Sequence, residues 1–396
     1  MHILLAADQY PEYHNGAGAA TERLAAGLVR RGHAVTVAYT SADGPRTRRE
    51  REGLVDQRLT SVAVPRGRGV RACWPNRARQ EAAAVLDAAA PDVVHVQSHL
   101  PVGRAVLAAA RTAGLPVVAT NHFMPENLLP HLPVPDPARA RIGSWAWRDL
   151  ARVYGRAHLV TTPTARAADL LAQRAGLRAE VVSNGIDLVR YAPAPTRLAS
   201  ADTTDPVVLF VGRLEEEKRV EDLLRGFAAV PASLRARLVY VGIGSRLPVL
   251  RRMARASRVA DRVEFWGNVR TDRLRRAYAE CAVFCAPGVA ELQSLVTLEA
   301  VASGAPVVAA DAAALPHLVH HGGNGYCYPP DQPALLTGHL TALLSSPSLR
   351  RRMGLESRRV AQGHSFEFTV DAYLARYTRL ALDAQPAASA GTALAA

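Results

Sequence analysis

The sequence predicts an α/β protein of two domains, each a parallel sheet covered by helices. Three observations predict it. Short apolar runs of strand length alternate along the chain with stretches of helical period, and such strand–helix–strand units require parallel crossovers. That alternation breaks between Tyr191 and Pro206, a Pro-, Ala-, Ser- and Thr-rich stretch without a period, and then restarts. Finally, 396 residues suit two domains at about 100–200 residues each. The expected boundaries are 1–195 and 205–365, a last helix at 366–382, and a disordered tail from 383 to 396.

In order, residues 3–7 are a strand, and the loop Asp8–Gly18 ends in Asn15-Gly16-Ala17-Gly18 before a helix from Ala19 to Arg31. Gly32 stops that helix, and Ala34–Tyr39 is the next strand. The Gly-Ala-Gly step lets backbone amides approach a phosphate or a sugar, or it is an ordinary tight turn; a third spaced glycine is missing, so both readings stand. His14 is a general base or a surface histidine.

Residues 46–79 carry ten arginines against Glu50, Glu52 and Asp56. With Val70 and Trp74 among them, the stretch suits an anionic lipid surface or is a solvated basic loop. A helix over 80–90, a strand over 92–96, a helix over 102–113 and a strand over 116–120 follow. Asn121-His122-Phe123 then lies just past a strand's carboxyl end, where the crevice of such sheets opens. Residues 124–137, with five prolines, are an acceptor-side lid or an irregular connection. A helix at 144–155, a strand at 158–162, a helix at 164–175, a strand at 181–183 and the turn Asn184-Gly185-Ile186-Asp187 complete the first domain.

The second domain restarts with a strand at 206–211, then Gly212-Arg213 and Lys218 before a helix at 220–229. Two cations in one short loop can converge on a diphosphate, although Glu215–Glu217 also allow a solvated charge run. Strands at 237–244 and 263–266 and a helix at 272–280 lead to Val283–Asp311. There a strand, a loop opened by Gly288, a helix from Ser294 to Ser303 and the strand 307–310 place Glu291 in the loop and Glu299 about one turn inside the helix. The helix-start amides near Ser294–Val296 favour an anion, and two carboxylates beside them suit sugar and ribose hydroxyls, so the stretch predicts a sugar-diphosphate site. His317, His320 and His321 near a helix end are read as exposed side chains rather than metal ligands. Helices at 332–344 and 349–362 follow.

Composition narrows the function. Forty-eight basic against 35 acidic residues give +13, yet Lys218 is the single lysine, which marks it as a position needing a compact ammonium. Four scattered cysteines without metal spacing predict a reducing cytoplasm. The amino terminus reads as a strand and not a signal peptide, and no run of about 18 apolar residues suggests a span. Nucleic acid is disfavoured for want of a recognition motif.

Gly16-Ala17-Gly18, His122, Asn184-Gly185-Ile186-Asp187, Gly212-Arg213 with Lys218, Gly242-Ile243-Gly244 and the pair Glu291 and Glu299 occur in one order over residues 1–380. In that order they resemble a retaining glycosyltransferase of family 4. The resemblance implies the GT-B fold, two Rossmann-like domains with parallel sheets facing a central cleft, the last helix returning to the first domain. It implies that Arg213 and Lys218 bind the donor diphosphate together with Gly212, Gly242 and the stretch Gln293, Ser294, Leu295 and Val296. Glu299 would hold the ribose, Glu291 the transferred sugar, His122 that sugar from the first domain, and Gly16, Ala17 and Gly18 would close over the phosphates. It implies no metal and no cofactor, the nucleotide-diphosphate sugar being a co-substrate and the cations and helix terminus neutralising the leaving group. Same-face attack, with the leaving phosphate taking the acceptor proton, would give retention. Ser294 stands where the family commonly has glycine; ELQSLVTLEA matches a glycolipid-synthesising subgroup, and the Ser294 hydroxyl caps the helix or touches a phosphate.

The expected function is therefore hexose transfer from a UDP- or GDP-sugar to a membrane lipid or glycolipid, by a cytoplasmic protein lying peripherally on the inner membrane face. A soluble transferase acting on a small metabolite or natural-product aglycone is the second reading, and a sugar-nucleotide epimerase of the same fold the third. A pyridoxal-dependent phosphorylase is disfavoured because it would need the one lysine.

Overall fold

The computed structural model describes residues 1–8, 10, 16–64, 71–127, 129, 134–192 and 205–384. His14, Asn15, Val70, much of the 124–137 segment, most of the expected linker and the tail beyond 384 lie outside the described residues. Contacts divide the chain into two units, one of Met1–Phe123, Ala140–Val182 and Glu367–Ala396, the other of Met124–Arg139 and Ser183–Phe366. The stretch 183–192, assigned by sequence to the first domain, thus packs with the second: Ile186 is fully buried in that unit's core, and its amide donates to the His364 carbonyl at 2.8 Å.

In the first unit the strands are β1 (His2–Ala7), β2 (Ala34–Thr40), β3 (Thr47–Arg51), β4 (Leu54–Leu59), β5 (Val62–Ala63), β6 (Arg71–Ala72), β7 (Val93–Val96), β8 (Val117–Thr120), β9 (Leu159–Thr162) and β10 (Glu180–Val181). The helices are α1 (Gly16–Arg30), α2 (Pro75–Ala89), α3 (Pro101–Thr112), α4 (Asp136–Tyr154) and α5 (Ala165–Ala175). Eight of these strands form one sheet in the order β10-β9-β8-β7-β1-β2-β4-β3. All its pairs are parallel except β3 with β4. Strand order reverses between β1 and β7, and at that switch point the crevice opens beyond the carboxyl ends. The near-continuous burial of Ile3–Ala7, Val93–Val96 and Val117–Thr120 is what a sheet covered on both faces demands.

The basic stretch is not one solvated loop. Its first part forms the antiparallel β3–β4 pair, with Arg49 opposite Asp56 and Thr47 opposite Arg58. The arginine stems reach acids and hydroxyls within the unit: Arg51 pairs with Asp56, and Arg58 donates at 3.1 Å to both the Tyr39 hydroxyl and Asp43. Arg71 donates to the Ser61 hydroxyl and carbonyl, and Arg77 to Glu81. Every residue of β3 is exposed, and Trp74 is 70% exposed. The helix expected at 80–90 begins earlier, because Pro75 suits a first helical position.

The C-terminal helix Phe366–Ala384 belongs mainly to this unit. Tyr377 and Tyr373 reach His95 and Thr120, and Arg31 pairs with Glu367 and Asp371.

In the second unit the strands are β11 (Val207–Val211), β12 (Arg237–Val241), β13 (Val263–Gly267), β14 (Val283–Ala286), β15 (Val307–Ala310) and β16 (Gly325–Tyr328). The helices are α6 (Val220–Ala228), α7 (Leu247–Ala256), α8 (Thr271–Glu280), α9 (Leu295–Ala302), α10 (Pro333–Ser345) and α11 (Pro347–Gln362). The sheet is entirely parallel, ordered β13-β12-β11-β14-β15-β16, so its switch point lies between β11 and β14. Val208 pairs with Val283 and Leu209 with Phe284, which sets the two strand ends side by side. No helix among the described residues is long and apolar enough to cross a membrane.

Candidate functional site

The loops leaving β11 and β14 meet at the switch point of the second sheet. Val289 donates its amide to the Glu217 carbonyl at 3.2 Å, and the Lys218 ammonium pairs with the Glu291 carboxylate. Both side chains are mostly buried, 19% and 16% exposed, so this ion pair is largely shielded from bulk water. Gly288 lies against it: a Cβ there would stand 3.5 Å from the Lys218 stem and 3.6 Å from Glu291 Oε1. Arg213 donates to Glu217 at 2.6 Å. Glu217 is buried and Glu215 accepts from the Ser245 amide and hydroxyl, so of the three glutamates only Glu216 is exposed without such a role in the fold.

Glycine is required where β11 and β12 end. Gly242 has φ +132°, and a Cβ on it would stand 2.0 Å from the Gly212 carbonyl oxygen. The Gly212 amide bonds to Val241 at 3.0 Å and the Leu214 amide to Ile243 at 2.9 Å, knitting the two strand ends into one floor.

Helix α9 begins where its sequence allows a cap. The Ser294 hydroxyl accepts from the Thr297 amide at 3.4 Å and from the Thr297 hydroxyl at 2.9 Å, which gives it the capping role. Helix geometry leaves the Leu295 and Val296 amides of the first turn without intrahelical acceptors. The Gln293 side chain points elsewhere: its carbonyl accepts from the Asn184 amide at 2.8 Å and its amide donates to the Ser183 hydroxyl at 2.9 Å. Whatever Gln293 offers a ligand is therefore its backbone. Glu299 is buried one turn further on, and beside it Tyr278 has its hydroxyl pushed up by burial and by the Glu299 carboxylate.

The second unit thus joins Lys218 to Glu291 and Arg213 to Glu217 in the loops that leave β11 and β14. His317 packs edge-on to His364, and His321 lies edge-on to Tyr326 and His339. Among the described residues no three His, Cys, Asp or Glu side chains are grouped to hold a metal ion.

In the first unit, Gly16, Ala17 and Gly18 form the first turn of α1 rather than a loop before it, and the Ala17 carbonyl accepts from the Thr21 hydroxyl at 2.9 Å. Beyond the carboxyl ends of β1, β7 and β8 lie Asp8, Gln97 and His122. The Asp8 carboxylate accepts from the amides of Val102 at 2.9 Å and Gly103 at 3.3 Å and from the Ser98 hydroxyl, so it caps α3, and burial raises its pKa. His122 shares a 2.7 Å hydrogen bond between Nε2 and the Gln97 side-chain oxygen, and burial pushes its pKa down to about 4. His95 is fully buried, held by Thr120 at 2.6 Å and Tyr377 at 2.5 Å, and is pushed down to about 3. Asp8, His95 and Gln97 went unnoticed in the sequence; their signal was position, at or just past the ends of the strands flanking the switch point.

The sequence and the fold match known proteins. Residues 14–190 fit the family model described as Glycosyltransferase Family 4, and residues 205–346 the model Glycosyl transferases group 1. A GDP-mannose-dependent alpha-mannosyltransferase of Mycobacterium tuberculosis is 30% identical over 393 residues, covering 95% of this chain and 96% of that one. The chain belongs to glycosyltransferase family 4. A D-inositol 3-phosphate glycosyltransferase of Rhodococcus erythropolis is 31% identical over 285 residues, 68% of this chain and 64% of that protein's length. Among solved structures, sucrose-phosphate synthase of Thermosynechococcus elongatus matches with TM-score 0.78 at 19% identity, over 96% of this chain and 99% of that one. The Anabaena protein HepE in complex with UDP matches with TM-score 0.72 at 19% identity, over 96% of this chain and all of that one. The fold is that of the GT-B glycosyltransferases, and the protein is a glycosyltransferase.

Proposed function

We propose that this glycosyltransferase moves a hexose, with retention, from a nucleotide-diphosphate sugar held in the second unit to an acceptor hydroxyl. The observation that carries the reading is the Lys218–Glu291 ion pair at the switch point, beside Arg213 and the start of α9. Lys218, Arg213 and the Leu295 and Val296 amides, with the glycine floor at Gly212 and Gly242, take the diphosphate. Glu291 accepts from hydroxyls of the hexose and Glu299 from those of the ribose. The bond from the anomeric carbon to the phosphate oxygen breaks, and a bond to the acceptor oxygen forms on the same face. The acceptor proton passes to the departing phosphate, whose charge the cations hold. In the first unit His122 and the Gly16–Gly18 turn are assigned to substrate contacts. The chemistry needs no metal and no cofactor.

The mannosyltransferase matched over nearly the whole of both chains favours a GDP-sugar as donor. A thermal-shift screen with UDP-, GDP- and ADP-sugars tests this. Lys218→Ala should weaken binding of the stabilising donor about tenfold or more, since it removes a charge-assisted contact of roughly 1.5–3 kcal/mol. Glu291→Ala should lower turnover more than donor binding. Near-normal activity in both variants refutes the assignment.

For the acceptor we propose a lipid or glycolipid at the inner membrane face, reached peripherally from the cytoplasm. Support comes from the exposed Trp74 with Val62 and Val64 beside the arginine-rich edge strand. The second reading, a small polar acceptor, is favoured by the internal pairing of Arg51, Arg58, Arg71 and Arg77, which uses up part of the basic surface. Pelleting with anionic vesicles at low salt separates them: a protein that stays in the supernatant acts on a small acceptor.

A further inference from the structure

Around His122 the first unit carries a buried polar chain that the proposed chemistry does not use. Gln97 follows β7 and His122 follows β8, adjacent strands in parallel register, so their side chains meet past the strand ends. The Gln97 carbonyl oxygen lies 2.7 Å from His122 Nε2, while its amide nitrogen lies 3.1–3.2 Å from both ring nitrogens of His95. An amide nitrogen equidistant from two ring nitrogens rests against the ring rather than on one lone pair. Those lone pairs and N–H groups are already matched to the Thr120 and Tyr377 hydroxyls.

Gln97 is itself buried, 4% exposed, so the orientation of its amide has consequences. With the amide reversed, its oxygen would lie against a ring whose nitrogens are already satisfied, and would go without a donor at a cost. The observed orientation gives the oxygen a donor and sets the N–H groups against the electron-rich imidazole. A carbonyl oxygen can only accept, so the shared proton must sit on His122 Nε2.

We propose that Gln97 is a positioning residue that holds His122 as the Nε2–H tautomer, leaving the Nδ1 lone pair to accept from a substrate hydroxyl. This rests on the reading that His122 meets the substrate. The hydroxyls of Thr120, Thr161, Tyr373 and Tyr377 continue the chain to the C-terminal helix and keep His95 from turning. Of the titratable groups in this chain, burial lowers His95 and raises Tyr373 and Tyr377, so all three are uncharged near neutrality; the charged Arg376 beside Tyr373 pairs with Glu180, and Glu367 and Asp371 pair with Arg31.

Long-range proton–nitrogen NMR of nitrogen-15 histidine protein, with His122 assigned by its loss in His122→Gln, reads the tautomer without any substrate. The wild type should show Nε2–H, and Gln97→Leu a mixture or Nδ1–H. Nδ1–H in the wild type, or an unchanged tautomer in Gln97→Leu, overturns the proposal. With GDP release from GDP-mannose as the rate, Gln97→Leu should lower kcat about tenfold with little change in KM, the usual scale for loss of an outer hydrogen-bond partner. Gln97→Glu keeps an accepting oxygen but adds a charge that favours imidazolium. It should preserve Nε2–H, move the acid limb of the pH profile up by about one unit or more, and recover the rate only above it. A switched tautomer with unchanged rate in both Gln97→Leu and His122→Gln refutes instead the substrate role of His122, and with it the catalytic half of the proposal.

Discussion

Acid should unfold the first unit well before it protonates the carboxylates. His95 is fully buried and His99 is 4% exposed, packed against the rings of Phe123 and Tyr154. Burial pushes them down to about 3 and about 4. In the unfolded chain both return to about 6.5. Well above pH 6.5 neither state binds the protons and the full stability is present. Below it the unfolded chain takes up protons that the folded unit refuses, at these two rings and at His122, which burial likewise pushes down to about 4, so stability is lost as pH falls, continuing down to the folded values. A fully bound proton is worth about 1.4 kcal/mol per pH unit, and the unfolded imidazoles are only half protonated at pH 6.5, so the pair costs roughly 2 kcal/mol between pH 6.5 and 5.5 and about 2.5 kcal/mol more by pH 4.5. Against about 5–15 kcal/mol for a domain, that is decisive. The assay is urea unfolding followed by tryptophan fluorescence in a Trp266→Phe background. Trp74, Trp145 and the buried Trp147 then report the first unit alone, because Trp266 is the only tryptophan of the second. A dependence of unfolding free energy on pH between 6 and 5 corresponding to less than one proton would refute the reasoning.

Three further outcomes rest on other contacts in the two units. Ser294→Ala removes the cap of α9 and should cost about 1 kcal/mol of stability, with Ser294→Gly costing less; equal melting temperatures for wild type and Ser294→Ala would contradict the capping role. Gly242→Ala forces a Cβ to 2.0 Å from the Gly212 oxygen at a φ of +132°, and should lower the second unit's stability by about 3 kcal/mol or more, read from the Trp266 transition. Tyr377→Phe strips one partner from buried His95 and should cost about 1 kcal/mol while lowering the first unit's melting temperature only; a shift confined to the second unit would be inconsistent with the network.

What the sequence made legible was periodic or chemically rare. The strand runs around Ile3–Ala7 and Val307–Ala310 are short, apolar and bounded by turn residues, and they appear within a residue or two of expectation. Lys218 and Glu291 stood out because one was the only lysine and the other fell in a loop after a strand, and the fold brings them together. The β3–β4 pair was missed because its apolar signal is drowned by arginine: Thr47–Arg51 is fully exposed and pairs through its backbone, which composition does not report. The partners of the Gln293 side chain were not legible for another reason. A glutamine has no period and no charge, and its partners, Ser183 and Asn184, lie over a hundred residues away in sequence. The same holds for His95 and Gln97, whose meaning depends on Tyr377 arriving from the C-terminal helix.

The Lys218–Glu291 pair has a practical corollary. With one lysine in 396 residues, the chain offers amine reagents a single side-chain target besides its N-terminus. That target is 19% exposed and salt-bridged to Glu291. Acylation should therefore be slow, should stop at one side-chain modification per molecule, and should be slowed further by any ligand that engages the ammonium. Intact mass after a timed pulse of an acylating reagent becomes a direct gauge of site occupancy that needs no acceptor, no turnover and no engineered tag.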